Sequence, residues 1–71
     1  MTILDACVAV LSRSQAPMSG DEIYEAIARL GLYKFQAKDP KNIVKSTLRK
    51  HLRSAAKRRV VEVQKGLFKS A

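Results

Sequence analysis

The hydrophobic period of this 71-residue chain changes once, and that change limits what it can fold into. Up to about residue 56 the apolar residues recur at helical spacing. After Lys57-Arg58-Arg59 they fall into strand-like runs of period two. The expected order is therefore three helices followed by a two-stranded hairpin, with no internal repeat. A chain of 7.9 kDa should expose roughly 4,400 Å² when folded against about 11,500 Å² unfolded. That suits one small core and one domain spanning residues 1–71, with no cleft between two domains.

Capping chemistry places the helix starts. Thr2 precedes the first apolar run and Asp5 follows three residues later, a capping box that opens a helix over residues 3–13. Ile3, Leu4, Cys7, Val8 and Leu11 share one face of it. Ala16-Pro17-Met18 reads as extended, because Pro17 biases its predecessor away from helix, and Met18 suits a short strand. Ser19 and Glu22 form a second box for a helix over residues 20–30. Ile23, Ala26, Ile27 and Leu30 make its buried stripe, and Gly31 suits the left-handed position after its end. Leu32-Tyr33-Lys34-Phe35 reads as a connector with anchoring side chains. Asp39-Pro40 is an N-cap followed by a first-turn proline, opening the longest helix over residues 40–56. Val60-Val61-Glu62-Val63 and Leu67-Phe68-Lys69 read as strands. The three residues Gln64-Lys65-Gly66 between them suit a turn with a glycine bulge.

Charge divides the chain. Residues 1–40 hold four basic and five acidic side chains, net −1, while residues 41–71 hold ten basic ones and the acid Glu62, net +9. Such a one-sided field attracts polyanions and raises their encounter rate. A merely solubilising surface would mix both signs.

The third helix carries much of this charge on one side. With Ile43 at 0° and 100° per residue, Val44, Thr47, Leu48, His51, Leu52 and Ala55 fall between about 40° and 180°, a core face. Asn42, Lys45, Ser46, Arg49, Lys50 and Arg53 fall between about 200° and 340°, and four of these six are cationic. Lysine and arginine neutralise phosphates, arginine also forks onto guanine, and asparagine pairs with adenine. The candidate DNA-binding set is Lys41, Asn42, Lys45, Ser46, Arg49, Lys50, Arg53, Lys57, Arg58, Arg59 and Lys65. Within it, Asn42, Ser46 and Arg49 are expected at base edges; Lys65 and the Lys57-Arg58-Arg59 run are expected on phosphate.

Other chemistries find little support. No apolar run approaches the length of a membrane span, and no basic stretch precedes an apolar one as in a signal peptide. One cysteine and one histidine supply neither a disulfide nor a zinc site, and no cofactor or small-molecule substrate is implied. Cys7 and His51 fall on core faces, as do Tyr24, Tyr33, Phe35 and Phe68, so neither a reactive thiol nor base stacking is expected. Asp21, Glu22 and Glu25 are explained by the helix start they occupy. No set of residues is spaced for catalysis, so the chain is not expected to be an enzyme.

Several stretches together resemble one family. Ile3-Leu4-Asp5-Ala6, Pro17-Met18-Ser19 leading into Glu22-Ile23-Tyr24-Glu25-Ala26-Ile27, Gly31-Leu32-Tyr33, and Lys38-Asp39-Pro40 with Asn42 look like the HARE-HTH winged-helix domain. The resemblance covers nearly the whole chain. It implies a mainly helical winged helix-turn-helix fold, with the third helix in the major groove of double-stranded DNA and the hairpin as the wing. It also implies a module at one end of a larger protein or nucleoprotein complex, in chromatin or transcription regulation. The expected setting is intracellular: cytoplasm or nucleoid in a bacterium, nucleus in a eukaryote. The Gln64-Lys65-Gly66 turn is plainer than the family's usual Gly/Pro-rich wing turn, and the segment 55–59 is unusually basic. The alternatives are a module that docks an acidic protein surface, of a polymerase or of chromatin, and RNA binding.

Overall fold

A computed structural model describes residues 2–36, 38–54 and 59–71. In chain order the elements are α1 (Ile3–Arg13), β1 (Met18–Ser19), α2 (Gly20–Leu30), α3 (Pro40–Ser54), β2 (Val60–Gln64) and β3 (Leu67–Ser70). The first two helices have the bounds that their caps predict. The Asp5 N–H donates to Thr2 Oγ1 at 3.1 Å and the Thr2 N–H returns a bond to Asp5 Oδ2 at 3.2 Å. Ser19 and Glu22 repeat this reciprocal pair at α2, at 3.2 and 3.0 Å. Each box satisfies two otherwise orphaned helix donors. Gly31, at φ +67°, ends α2 with its N–H on the Ala28 carbonyl and the Leu32 N–H on the Ile27 carbonyl. That pair of bonds is the Schellman arrangement, which needs the left-handed conformation glycine adopts without penalty.

The core is built from one face of each helix and the inner face of the wing. Ala6, Cys7, Val10 and Leu11 of α1 meet Ile23, Ala26 and Ile27 of α2, Val44 and Leu48 of α3, and Val60 and Phe68 of the strands. Full burial of a residue such as Leu48 or Ile27 removes apolar area worth about 1.5–3 kcal/mol. The predicted phase of α3 holds: Val44, Leu48 and His51 are buried, Thr47 and Leu52 half-buried, and Arg49, Lys50 and Arg53 exposed. The expected helical residues Ala55 and Ala56 lie outside the described residues.

The hairpin differs from its sequence reading in one detail and gains a partner. Gln64 is not a turn residue but pairs with Leu67, which leaves Lys65 and Gly66 at the tip. The spare residue is Val63, skipped between the Glu62–Phe68 and Gln64–Leu67 pairs and left 41% exposed. Such a bulge bends the strand and adds local twist. Gly66 has φ +83°, and Glu62 Oε2 accepts its N–H at 2.9 Å. Met18 and Ser19 pair antiparallel with Phe68 and Leu67, so the sheet has three strands in the order β1-β3-β2. That third strand ties the wing to the turn before α2. Helices and hairpin together make a winged helix.

The expected core positions for the aromatics hold in two ways. Phe68 is 5% exposed. Tyr24, Tyr33 and Phe35 are half-buried against the core, with Phe35 packed tilted between the two tyrosines at 5.2 and 5.1 Å. These contacts anchor the connector between α2 and α3. Cys7 is fully buried, and burial pushes its thiol up to about 11. It behaves as a small hydrophobe, not as a nucleophile.

Candidate nucleic-acid interface

Helix α3 is the element that presents charge outward. Its N-terminus is closed by Asp39, whose Oδ1 accepts the Asn42 N–H at 3.3 Å. Burial of Val44, Leu48 and His51 on one side fixes the rotation of the helix. The opposite side is then obliged to face solvent. Ser46, Arg49, Lys50 and Arg53 line one open groove of about 540 Å³, with no acid among them. Lys41 and Asn42 are exposed one turn nearer the N-terminus, and Lys65 is exposed at the tip of the wing.

Two predicted site residues sit differently. Lys45 is half-buried, and its ammonium lies 3.2 Å from Asp21 Oδ1. Its stem runs over the start of α2, where a Cβ on Gly20 would come within 2.7 Å of Lys45 Cγ. Gly20 thus permits the close approach of α2 and α3, and Lys45 covers it. Arg59 points back toward α1, with Nη1 2.9 Å from Asp5 Oδ1. Thr2 and the Arg59 guanidinium together hold the Asp5 carboxyl below its ordinary range, through hydrogen bonds to the ionised form. Lys57 and Arg58 lie outside the described residues.

A second groove, of about 480 Å³, separates α3 from the wing and the start of α2. Its charges are mixed: Lys45, Arg49 and Lys65 face it together with Asp21 and Glu62. The purely cationic surface is therefore the outer side of α3, and acids border its flank. A charge count by sequence segment missed this border. Asp21 and Asp5 were legible as helix-start residues, but their partners are distant in the chain.

His51 is a packed residue, as its phase on α3 predicts. It is 9% exposed, and its Nε2 accepts the Arg59 backbone N–H at 2.9 Å. An accepting Nε2 places the ring proton on Nδ1. Among the described residues no group of His, Cys, Asp and Glu could hold a metal ion, and no helix is long and apolar enough to cross a membrane.

Comparisons with curated proteins and with solved structures returned no match. A family model does match, over residues 1–71, and its description is HARE-HTH, a helix-turn-helix domain named in part for ASXL and restriction endonuclease proteins. That family is a helix-turn-helix DNA-binding domain type and not a family of enzymes. Winged-helix architecture, a cationic outer face on α3 and a match along the full length agree: the chain belongs to the HARE-HTH family.

Proposed function

We propose that this chain binds duplex DNA with α3 in the major groove and the wing tip on the neighbouring phosphate backbone. The observation that carries the reading is the groove of Ser46, Arg49, Lys50 and Arg53, an acid-free strip on the outward side of a helix whose other side is core. A helix in the major groove needs that division between packed and donor-bearing faces. Arg49, with Asn42 and Ser46 on the same face, is suited to base edges; Lys41, Lys50, Arg53 and Lys65 are suited to phosphates. The setting we infer is a duplex-binding module of a larger protein that acts in transcription or on chromatin.

The number of phosphates neutralised sets the salt dependence. All eight of the cations Lys41, Lys45, Arg49, Lys50, Arg53, Arg58, Arg59 and Lys65 are sequence candidates. With Lys45 and Arg59 engaged by Asp21 and Asp5 and Arg49 assigned to base edges, Lys41, Lys50, Arg53, Arg58 and Lys65 are left, which favours a count of four or five phosphates. The slope of log K against log salt should then be about −4. The test is a titration against duplex DNA, single-stranded DNA and structured RNA at several salt concentrations. Tightest binding to duplex, with that slope, supports the reading. Salt-independent affinity refutes it, and tighter binding to RNA or only to an acidic protein would replace it with one of the alternatives.

A further inference from the structure

We propose that Arg59 is a positioning residue that sets the angle of the wing against α3, rather than a phosphate ligand. The inference rests on the duplex-DNA reading and concerns how the wing tip is presented to the backbone.

Arg59 immediately precedes β2, so it is the root of the wing. Three elements hold it. Its backbone N–H donates to Nε2 of the buried His51 on α3, at 2.9 Å. Its carbonyl accepts the Ala71 N–H, just past β3, at 3.0 Å. Its Nη1 donates to Asp5 Oδ1 on α1, also at 2.9 Å. The Asp5 carboxylate is not a loose partner, because its other oxygen accepts the Thr2 N–H in the α1 cap. The next residue, Val60, has no exposed surface, so the chain leaves this point with its direction fixed.

Ties from α1, α3 and the end of β3 converge on one residue. They locate the wing root relative to the helix bundle in three directions. The tip, with Lys65, lies at the other end of β2 and takes its direction from that root. A small rotation at Arg59 would displace Lys65 from the backbone that α3 selects. The charge on Arg59 also favours DNA over a distance, but in the free protein its guanidinium pairs with Asp5 in a half-exposed contact. The two roles predict opposite signs for one substitution. Asp5→Asn removes a negative charge beside a cation. If Arg59 were a phosphate ligand restrained by Asp5, the variant would bind DNA more tightly. If Arg59 is a clamp, the variant loosens the wing and binds more weakly.

The experiment is a duplex titration at low salt on wild type, Asp5→Asn, Lys65→Ala and the double variant. Thr2→Ala serves as a control that damages the α1 cap but leaves Asp5 to hold Arg59. The clamp predicts roughly threefold to tenfold weaker binding for Asp5→Asn, and a smaller cost for Lys65→Ala in that background than in wild type. Thr2→Ala should bind as wild type does. Amide hydrogen exchange on the free proteins supplies a readout that needs no DNA. Asp5→Asn should speed exchange in β2 and β3 while leaving the α2 core amides unchanged. Arg59→Lys, which keeps the charge but not the planar fork, should behave like Asp5→Asn and serves if that variant folds poorly. Tighter binding by Asp5→Asn, an undiminished Lys65→Ala cost, or unchanged exchange in the wing would overturn the clamp while leaving the functional reading intact. Failure of the wild type to bind duplex DNA would overturn both.

Discussion

Helix α2 closes both of its ends with its own residues, whereas α3 presents its polar residues along its length. In α2, Ser19 and Glu22 close the N-terminus reciprocally, and Gly31 closes the C-terminus with two backbone bonds. Asp21 and Glu22 sit in its first turn, where the helix dipole favours acids. In α3 the N-terminus has the single side-chain acceptor of Asp39 and no acid in the first turn. Lys45, Arg49 and Arg53 follow at intervals of four, so like charges stand above one another on the helix surface. Each such pair destabilises an isolated helix by about 0.2–0.5 kcal/mol. Helix α2 is favoured by its own sequence, while α3 depends on the core that Val44 and Leu48 enter. The difference separates a scaffold helix from the proposed recognition helix: the cations that suit α3 to a polyanion are the ones that weaken it alone.

The largest effect expected from this contrast is on the buried side of α3. Leu48→Ala should cost about 2–5 kcal/mol in urea denaturation, because Leu48 has no exposed surface and truncation leaves a cavity. Arg49→Ala, one residue along, should leave stability within about 0.5 kcal/mol and weaken DNA binding. A silent Leu48→Ala beside a destabilising Arg49→Ala would break the assignment of the two faces.

Next in size are the ends of α2. Gly31→Ala forces a Cβ into the left-handed conformation at φ +67° and should cost about 1–2 kcal/mol. Ser19→Ala removes half of the capping box and should cost about 1 kcal/mol. Both are read by thermal or urea unfolding. No loss in either would mean that α2, like α3, depends mainly on packing.

A smaller effect, of opposite sign, is expected on the outer face of α3. Arg49→Gln removes a charge stacked between Lys45 and Arg53, so the free protein should gain up to about 0.5 kcal/mol while duplex affinity falls. Lower stability in this variant would show that Arg49 makes packing contributions that outweigh the repulsion.

The smallest effect concerns acid. Asp5 has a folded-state pKa below its ordinary value, so its contribution is present above the unfolded value, near pH 3.9, and is lost as pH falls through the lower folded value. Stability measured from pH 5 downward should therefore fall less steeply in Asp5→Asn than in wild type. Parallel curves would show that the bonds to Thr2 and Arg59 do not favour the ionised carboxylate.

How far the sequence reveals these features depends on how far apart the interacting residues are. The starts of α1, α2 and α3 were readable because Thr2, Ser19 and Asp39 bond within three residues of themselves. The buried face of α3 was readable because apolar spacing reports rotation. The Asp21–Lys45 and Asp5–Arg59 pairs were not, because each joins residues brought together only by tertiary packing. Helical phase alone therefore placed Lys45 with the outward cations. The bulge at Val63 was hidden for a related reason: Val60-Val61-Glu62-Val63 reads like a regular strand, and only pairing with β3 shows which residue is skipped. For the outer side of α3, residue types and face were legible, and internal neutralisation was not.

The most direct test of duplex recognition by α3 is a map of backbone amide shifts during titration with a short DNA duplex. Recognition through the outer face of α3 predicts shifts concentrated at Asn42, Ser46, Arg49, Lys50 and Arg53, with a second group at Lys65 and Gly66. The first turn and outer face of α2, around Glu22 and Glu25, should stay still. Shifts concentrated on α1 and α2, with α3 unmoved at saturating duplex, would contradict it.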